Sequence, residues 1–74
     1  MQINPAALKA IRENAGYSQL SLAGSSGVNQ GHISKMESSS DPVPVRPATV
    51  KKLAAALAVP VAALVVPEPV AATS

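Results

Sequence analysis

Two glutamines, Gln19 and Gln30, each directly follow a short polar residue suited to capping a helix, Ser18 and Asn29. An amide side chain carries donors and an acceptor together, so a glutamine on a first helical turn is suited to hydrogen-bonded recognition. The stretch "NQGHISKMES" surrounds the second glutamine with further polar groups. At helical spacing, Ile33, Met36 and Glu37 share one face, while Gln30, Gly31, Ser34, Lys35 and Ser38 lie on another. That second face is polar, short-chained and positive. Gly31 is the odd member, since glycine inside a helix costs roughly 1 kcal/mol against alanine.

Catalytic chemistry is poorly provided for. The chain has one His, His32, one Asp, Asp41, and no Cys. That leaves little for a triad, and no thiolate metal site and no disulfide scaffold. Gly24, Gly27 and Gly31 do not make a phosphate loop, because no strand precedes them and no Gly-Lys-Ser/Thr follows. The chain reads as a non-enzyme with no metal, no cofactor and no small-molecule substrate.

The elements that position these residues are helical. Asn4 caps a first helix with Pro5 at its first position, and Leu8, Ile11 and Ala15 follow at helical spacing until Gly16 ends it. Ser18 caps a second, short helix to about Ser25, and Gly27 supplies a left-handed turn position. A third helix spans about 29–37. The stretch "SSSDPVPV", 38–45, reads as a loop. A fourth helix begins at Pro47, with Val50, Leu53, Ala54 and Leu57 at i, i+3, i+4 and i+7. A fifth short helix is expected from about Pro60 to Val65, with Val61 and Leu64 inward. Tyr17 with Leu22, and Val28 with Ile33, are each placed as a hydrophobic staple across a helix start. Ala23 permits close approach of two helices and Gly27 a turn of few residues, which is a helix-turn-helix arrangement.

Bulk properties agree with a thin helical core. The chain has 74 residues and one aromatic, Tyr17. A domain of this size buries only about 60% of its unfolded surface. Six Lys and Arg against four Asp and Glu give a net charge of +2, mildly basic. The longest apolar run, "LAAALAVPVAALVV", contains Pro60 and falls short of the ~20 residues that span a bilayer, so no membrane role is expected. Residues 1–66 read as one domain, and 67–74, "PEPVAATS", as a flexible tail or linker.

The stretch "YSQLSLAGSSGVNQGHISKMES" resembles the helix-turn-helix of the phage repressor and Cro-like family, also called the xenobiotic-response-element family or lambda-repressor-like domains. "ALKAIRENAGYSQ" and "VKKLAAALAVPVAALV" resemble its first helix and its last two. The resemblance covers about residues 4–66. It implies an all-α, five-helix lambda-repressor-like bundle whose third helix enters the major groove of duplex DNA while the second crosses the backbone. Gln30 would then read a base, its amide matching the N7 and N6 of adenine, with Gly31, Ser34 and Lys35 beside it. Gln19, at a helix start whose free N–H groups favour an anion, would contact a phosphate. Ser18, Asn29, His32, Ser38 and Arg46 are further backbone candidates. Arg12 is the family-matched partner for Glu37, as a structural ion pair joining the first helix to the third, with a solvated surface pair as the alternative.

The implied function is a sequence-specific transcriptional regulator, a repressor of phage or bacterial type acting in the cytoplasm as a homodimer on an operator. A protein-interaction module of the same fold, an antitoxin or adaptor with weak or no DNA binding, is the competing reading. Three departures from the family bear on it. Leu20 and Ser21 follow Gln19 where acidic or polar residues are usual, so no capping box is expected and Leu20 is an exposed apolar residue. The 38–46 loop is proline-rich and, Arg46 apart, lacks the basic residues that often grip phosphates. The end of the domain is unusually apolar: Val61, Leu64, Val65 and Val66 either form a dimer face or close the bundle core. With few cations, one domain should bind DNA weakly and lose little affinity with salt.

Overall fold

The computed structural model describes residues 1–66. Four α-helices form where the caps and apolar spacing place them: α1 (Pro5–Asn14), α2 (Gln19–Ser26), α3 (Gln30–Ser38) and α4 (Pro47–Leu57). The Asn4 side-chain oxygen accepts the backbone N–H groups of Ala6 and Ala7 at 3.1 and 3.2 Å, relieving two of the orphan donors at the start of α1. Gly16 turns the chain out of α1 at φ +83°. Gly27 ends α2 at φ +77°, and its N–H reaches the Ala23 carbonyl at 2.9 Å. Ala58 ends α4 in the same left-handed conformation, φ 57°, although it is not a glycine. Such a position costs an L-residue about 1–2 kcal/mol.

The expected five-helix bundle is corrected to four helices and a small sheet. The fifth segment is a single 3₁₀ turn, Val61–Ala63. Pro60 is itself extended, φ −68° and ψ 152°, and past Leu64 the chain straightens at once. It straightens because it pairs with the N-terminus: Val65 bridges Ile3, the Val66 N–H donates to the Gln2 carbonyl at 2.9 Å, and the Asn4 N–H donates to the Leu64 carbonyl at 2.7 Å. On its other side the N-terminal strand β1 (Gln2–Ile3) pairs antiparallel with β2 (Val43–Pro44), in the register Gln2 to Pro44 and Ile3 to Val43. The Met1 carbonyl accepts the Val45 N–H at 2.9 Å. Part of the 38–45 stretch is therefore a strand rather than loop. The expected tail, 67–74, lies outside the described residues.

One core joins all these elements. Ile3, Leu8, Leu22, Ile33, Met36, Val50, Leu53 and Leu64 are wholly buried. Full burial of one such side chain is worth about 1.5–3 kcal/mol. α2 is the hub, packing against both α3 and α4, while α1 packs on α3. Tyr17, half-buried against this core, directs its hydroxyl toward the Ala56 carbonyl on α4, 3.4 Å away.

Candidate nucleic-acid interface

The turn between α2 and α3 is three residues, Gly27, Val28 and Asn29, and each fixes it differently. Gly27 reverses the chain. Val28 is buried and anchors the turn to the core. Asn29 caps α3, its side-chain oxygen accepting the Gly31 N–H at 2.7 Å. A second device braces the turn: Ser26 donates its hydroxyl to the Leu22 carbonyl at 2.7 Å and accepts the Val28 N–H at 3.2 Å. Ser26 was not legible as a turn residue, because helical spacing marks it only as a polar position near the helix end.

These constraints present α3 with a fixed rotation. Ile33 and Met36 point into the core, and Gln30, Gly31, His32, Lys35 and Ser38 are exposed, with Ser34 half-buried. The four residues proposed to read bases thus share an outward surface, with Ser34 its most recessed member. Lys35 has no ion-pair partner within 4.0 Å among the described residues, so its charge faces solvent. Gly31 has a local reason to be glycine: a Cβ built there would stand 3.1 Å from the Asn29 oxygen that caps the helix. The cap folds directly over the glycine.

The candidate backbone contacts divide into two groups. Exposed His32 and Arg46 make no side-chain hydrogen bond among the described residues; Arg46 occupies the N-cap position of α4 without capping it. Ser18, Gln19, Asn29 and Ser38 are engaged within the protein. The Ser18 hydroxyl accepts the Ser21 N–H at 3.0 Å, and the Ser21 hydroxyl accepts the Ser18 N–H at 2.8 Å. This is a capping box, and it corrects the expectation that one is missing. The serine hydroxyl closes the reciprocal bond that a Glu or Gln side chain ordinarily makes. Ser38 donates to the Lys35 carbonyl at 3.2 Å. Beside the box, Leu20 is 66% exposed.

Glu37 lies behind the exposed face. Arg12 and Glu37 form a bidentate pair, Nε to Oε2 at 2.7 Å and Nη2 to Oε1 at 3.0 Å. Their side chains are 9% and 3% exposed, so the pair is buried rather than solvated. The Arg12 Nη1 also donates to the Tyr17 carbonyl at 2.7 Å, tying the end of α1 to the start of α2. The hydrogen bond to Glu37 raises the Arg12 pKa above its ordinary value, against burial, which lowers it. A third donor reaches the same carboxylate: the Gln19 amide Nε2 stands 3.1 Å from Glu37 Oε1. Nothing in the spacing of 19 and 37 signals this contact.

Of the two readings of the apolar end, a dimer face or closure of the core, the packing of its residues favours closure. Leu64 is wholly buried, and Val61 and Val65 pack against the core from half-buried positions. Val66 is half-buried and joined to Gln2 through its backbone. These side chains close the domain because the segment is pinned beside β1.

A helix-turn-helix family model matches residues 8–64, which takes in α1 from Leu8 through to the 3₁₀ turn. The chain belongs to this family, the helix-turn-helix of the phage repressor and Cro type, a family of DNA-binding domains. Neither a curated protein nor a solved structure matches the chain. No helix among the described residues is long and apolar enough to cross a membrane.

Proposed function

We propose that this protein binds duplex DNA sequence-specifically through α3 and regulates transcription, as a repressor of phage or bacterial type in the cytoplasm. The observation that supports this best is the division of α3, whose Ile33 and Met36 are fully buried while Gln30, Gly31 and Lys35 stand exposed on a helix fixed at both ends. In the major groove, Gln30 pairs with adenine, Ser34 and Lys35 contact base edges or phosphates, and Gly31 leaves room for the backbone to approach. Ser18, Gln19, Asn29, His32, Ser38 and Arg46 surround that helix as the phosphate-facing set, through side chains or the backbone N–H groups beside them. Lys35 and Arg46 carry the charge, so affinity falls only gently with salt.

Tight binding then calls for two domains on paired half-sites about 34 Å apart. With Leu64 inside the core, a homodimer uses another surface or the outer edges of Val61, Val65 and Val66. Selection of bound duplexes from a random pool, with wild type and Gln30→Ala in parallel, tests the reading. Wild type should enrich one motif, and Gln30→Ala should lose preference at one position, worth about 1–3 kcal/mol of discrimination. If wild type enriches no motif at moderate salt, the proposal fails.

The exposure of Leu20 favours a second reading, a protein-interaction module such as an antitoxin or adaptor. A large apolar side chain beside the start of α2 gives nothing to a phosphate and much to an apolar partner. Under that reading Leu20→Ser abolishes partner capture while Gln30→Ala leaves it intact.

A further inference from the structure

We infer that Glu37 is a positioning residue for Gln19: the buried carboxylate that locks α3 to α1 also presets the amide at the first position of α2 for contact with the DNA backbone. The inference rests on the DNA-binding reading above. Glu37 is 3% exposed at its side chain and does not itself reach DNA.

Its two oxygens receive three N–H donors: Arg12 Nε on Oε2, and Arg12 Nη2 together with Gln19 Nε2 on Oε1. A carboxylate oxygen has two acceptor sites, so Oε1 is filled by this pair of donors. An amide nitrogen has two hydrogens. One goes to Glu37, and the second N–H and the carbonyl oxygen remain for an outside partner. Gln19 is half-buried, so the side chain lies along the protein with part of its surface open.

Two consequences follow from the shared oxygen. A glutamine otherwise free to sample many rotamers is already ordered, so less entropy is lost when it meets a phosphate. Because Glu37 belongs to α3, the phosphate-facing amide of α2 is also registered to the base-reading helix. A shift of α3 in its groove displaces the acceptor that holds Gln19. Neither Arg12 nor Glu37 touches DNA, yet both set a backbone contact.

The test uses a labelled duplex carrying the motif that wild type enriches, and four proteins: wild type, Gln19→Ala, the double variant Arg12→Met with Glu37→Met, and the triple variant. Replacing both members of the buried pair by apolar residues of similar length avoids stranding a charge. Gln19→Ala should weaken binding about 10-fold in the wild-type background and less than about 2-fold in the double-Met background, a clear departure from additivity. Its salt dependence should equal that of wild type, since a neutral amide releases no counterion.

Equal penalties in both backgrounds would overturn the inference while leaving DNA binding standing. A wild-type protein that enriches no duplex removes the DNA reading and this inference with it. A measurement on the free wild-type protein covers the case in which the double-Met variant does not fold. The Gln19 side-chain amide should show an NMR order parameter near that of rigid backbone, about 0.85, and one below about 0.6 overturns the positioning.

Discussion

The helix-turn-helix and the terminal clasp of β1, β2 and residues 64–66 hold the same small core by opposite means. The helix-turn-helix is fixed by side chains: the Ser18–Ser21 box, the Ser26 brace, the Asn29 cap and the Arg12–Glu37–Gln19 cluster. The clasp is fixed by backbone groups, with Val45, Val66 and Asn4 each donating an N–H to a carbonyl of a distant segment. Its side chains contribute chiefly through burial, Ile3 and Leu64 above all. The contrast suits a DNA-binding domain. The part that presents a recognition surface depends on side-chain identity, and the part that only closes the fold tolerates variation that keeps the backbone extended and the inward residues apolar.

Substitutions sharpen that contrast. The largest effect is expected at the ion pair. Glu37→Ala leaves the buried Arg12 charge with only the exposed Glu13 carboxylate, 3.9 Å away, and should cost about 3–5 kcal/mol in urea unfolding, a large share of a small domain's stability. A cost below about 1 kcal/mol would mean that the pair is solvated after all. The Arg12 pKa is raised, so this stabilisation is present at neutral pH and is lost only as pH climbs through the raised value. In the clasp, Ile3→Ala should cost about 2–5 kcal/mol through the cavity it leaves. Ile3→Val, which keeps the strand and most of the volume, should cost only about 0.5–1.5 kcal/mol. If Ile3→Ala proves as mild as Ile3→Val, the clasp is not part of the cooperative core.

Smaller effects separate local capping from both. Ser21→Ala opens the capping box of α2 and should cost about 1 kcal/mol by thermal melting, with no change in DNA motif. At Gly31 two terms oppose each other. Alanine gains about 1 kcal/mol of helix propensity, but its Cβ meets the Asn29 oxygen at 3.1 Å and disturbs a cap of similar worth. The expected net change is within about 0.5 kcal/mol, so selection of bound duplexes becomes the informative measurement for this position. Unchanged motif preference in Gly31→Ala would deny the glycine any part in reading bases.

The same division explains how much could be read from the sequence. α1 to α4 were legible because Asn4, Ser18, Asn29 and Pro47 mark their starts and apolar residues repeat at three and four. The pair Arg12–Glu37 was legible only through the family resemblance. Strands of two residues have no period to detect, so β1 and β2 were invisible, and Val65 was unassignable to Ile3. Val61 and Leu64, three apart, fit a 3₁₀ turn as well as an α-helix, and the shorter element is the one that forms. Ser21 carries no capping signal in the sequence because a capping box ordinarily ends in Glu or Gln. The Gln19–Glu37 bond joins two helices through side-chain reach alone, and no spacing rule encodes that.

The placement of Ile3 between Val43 and Val65 also orders events in time. Each helix and the α2–α3 turn rest on neighbours close in the chain, which form quickly. β1 is made before both of its partners, so it waits unpaired until segments made later arrive on either side. At about 5–20 residues per second, that wait lasts seconds. During it the helices can assemble, but Ile3 stays in water and Leu64 is not yet made. The seam between β1 and residues 64–66 can therefore close only after the last of the helices has been made.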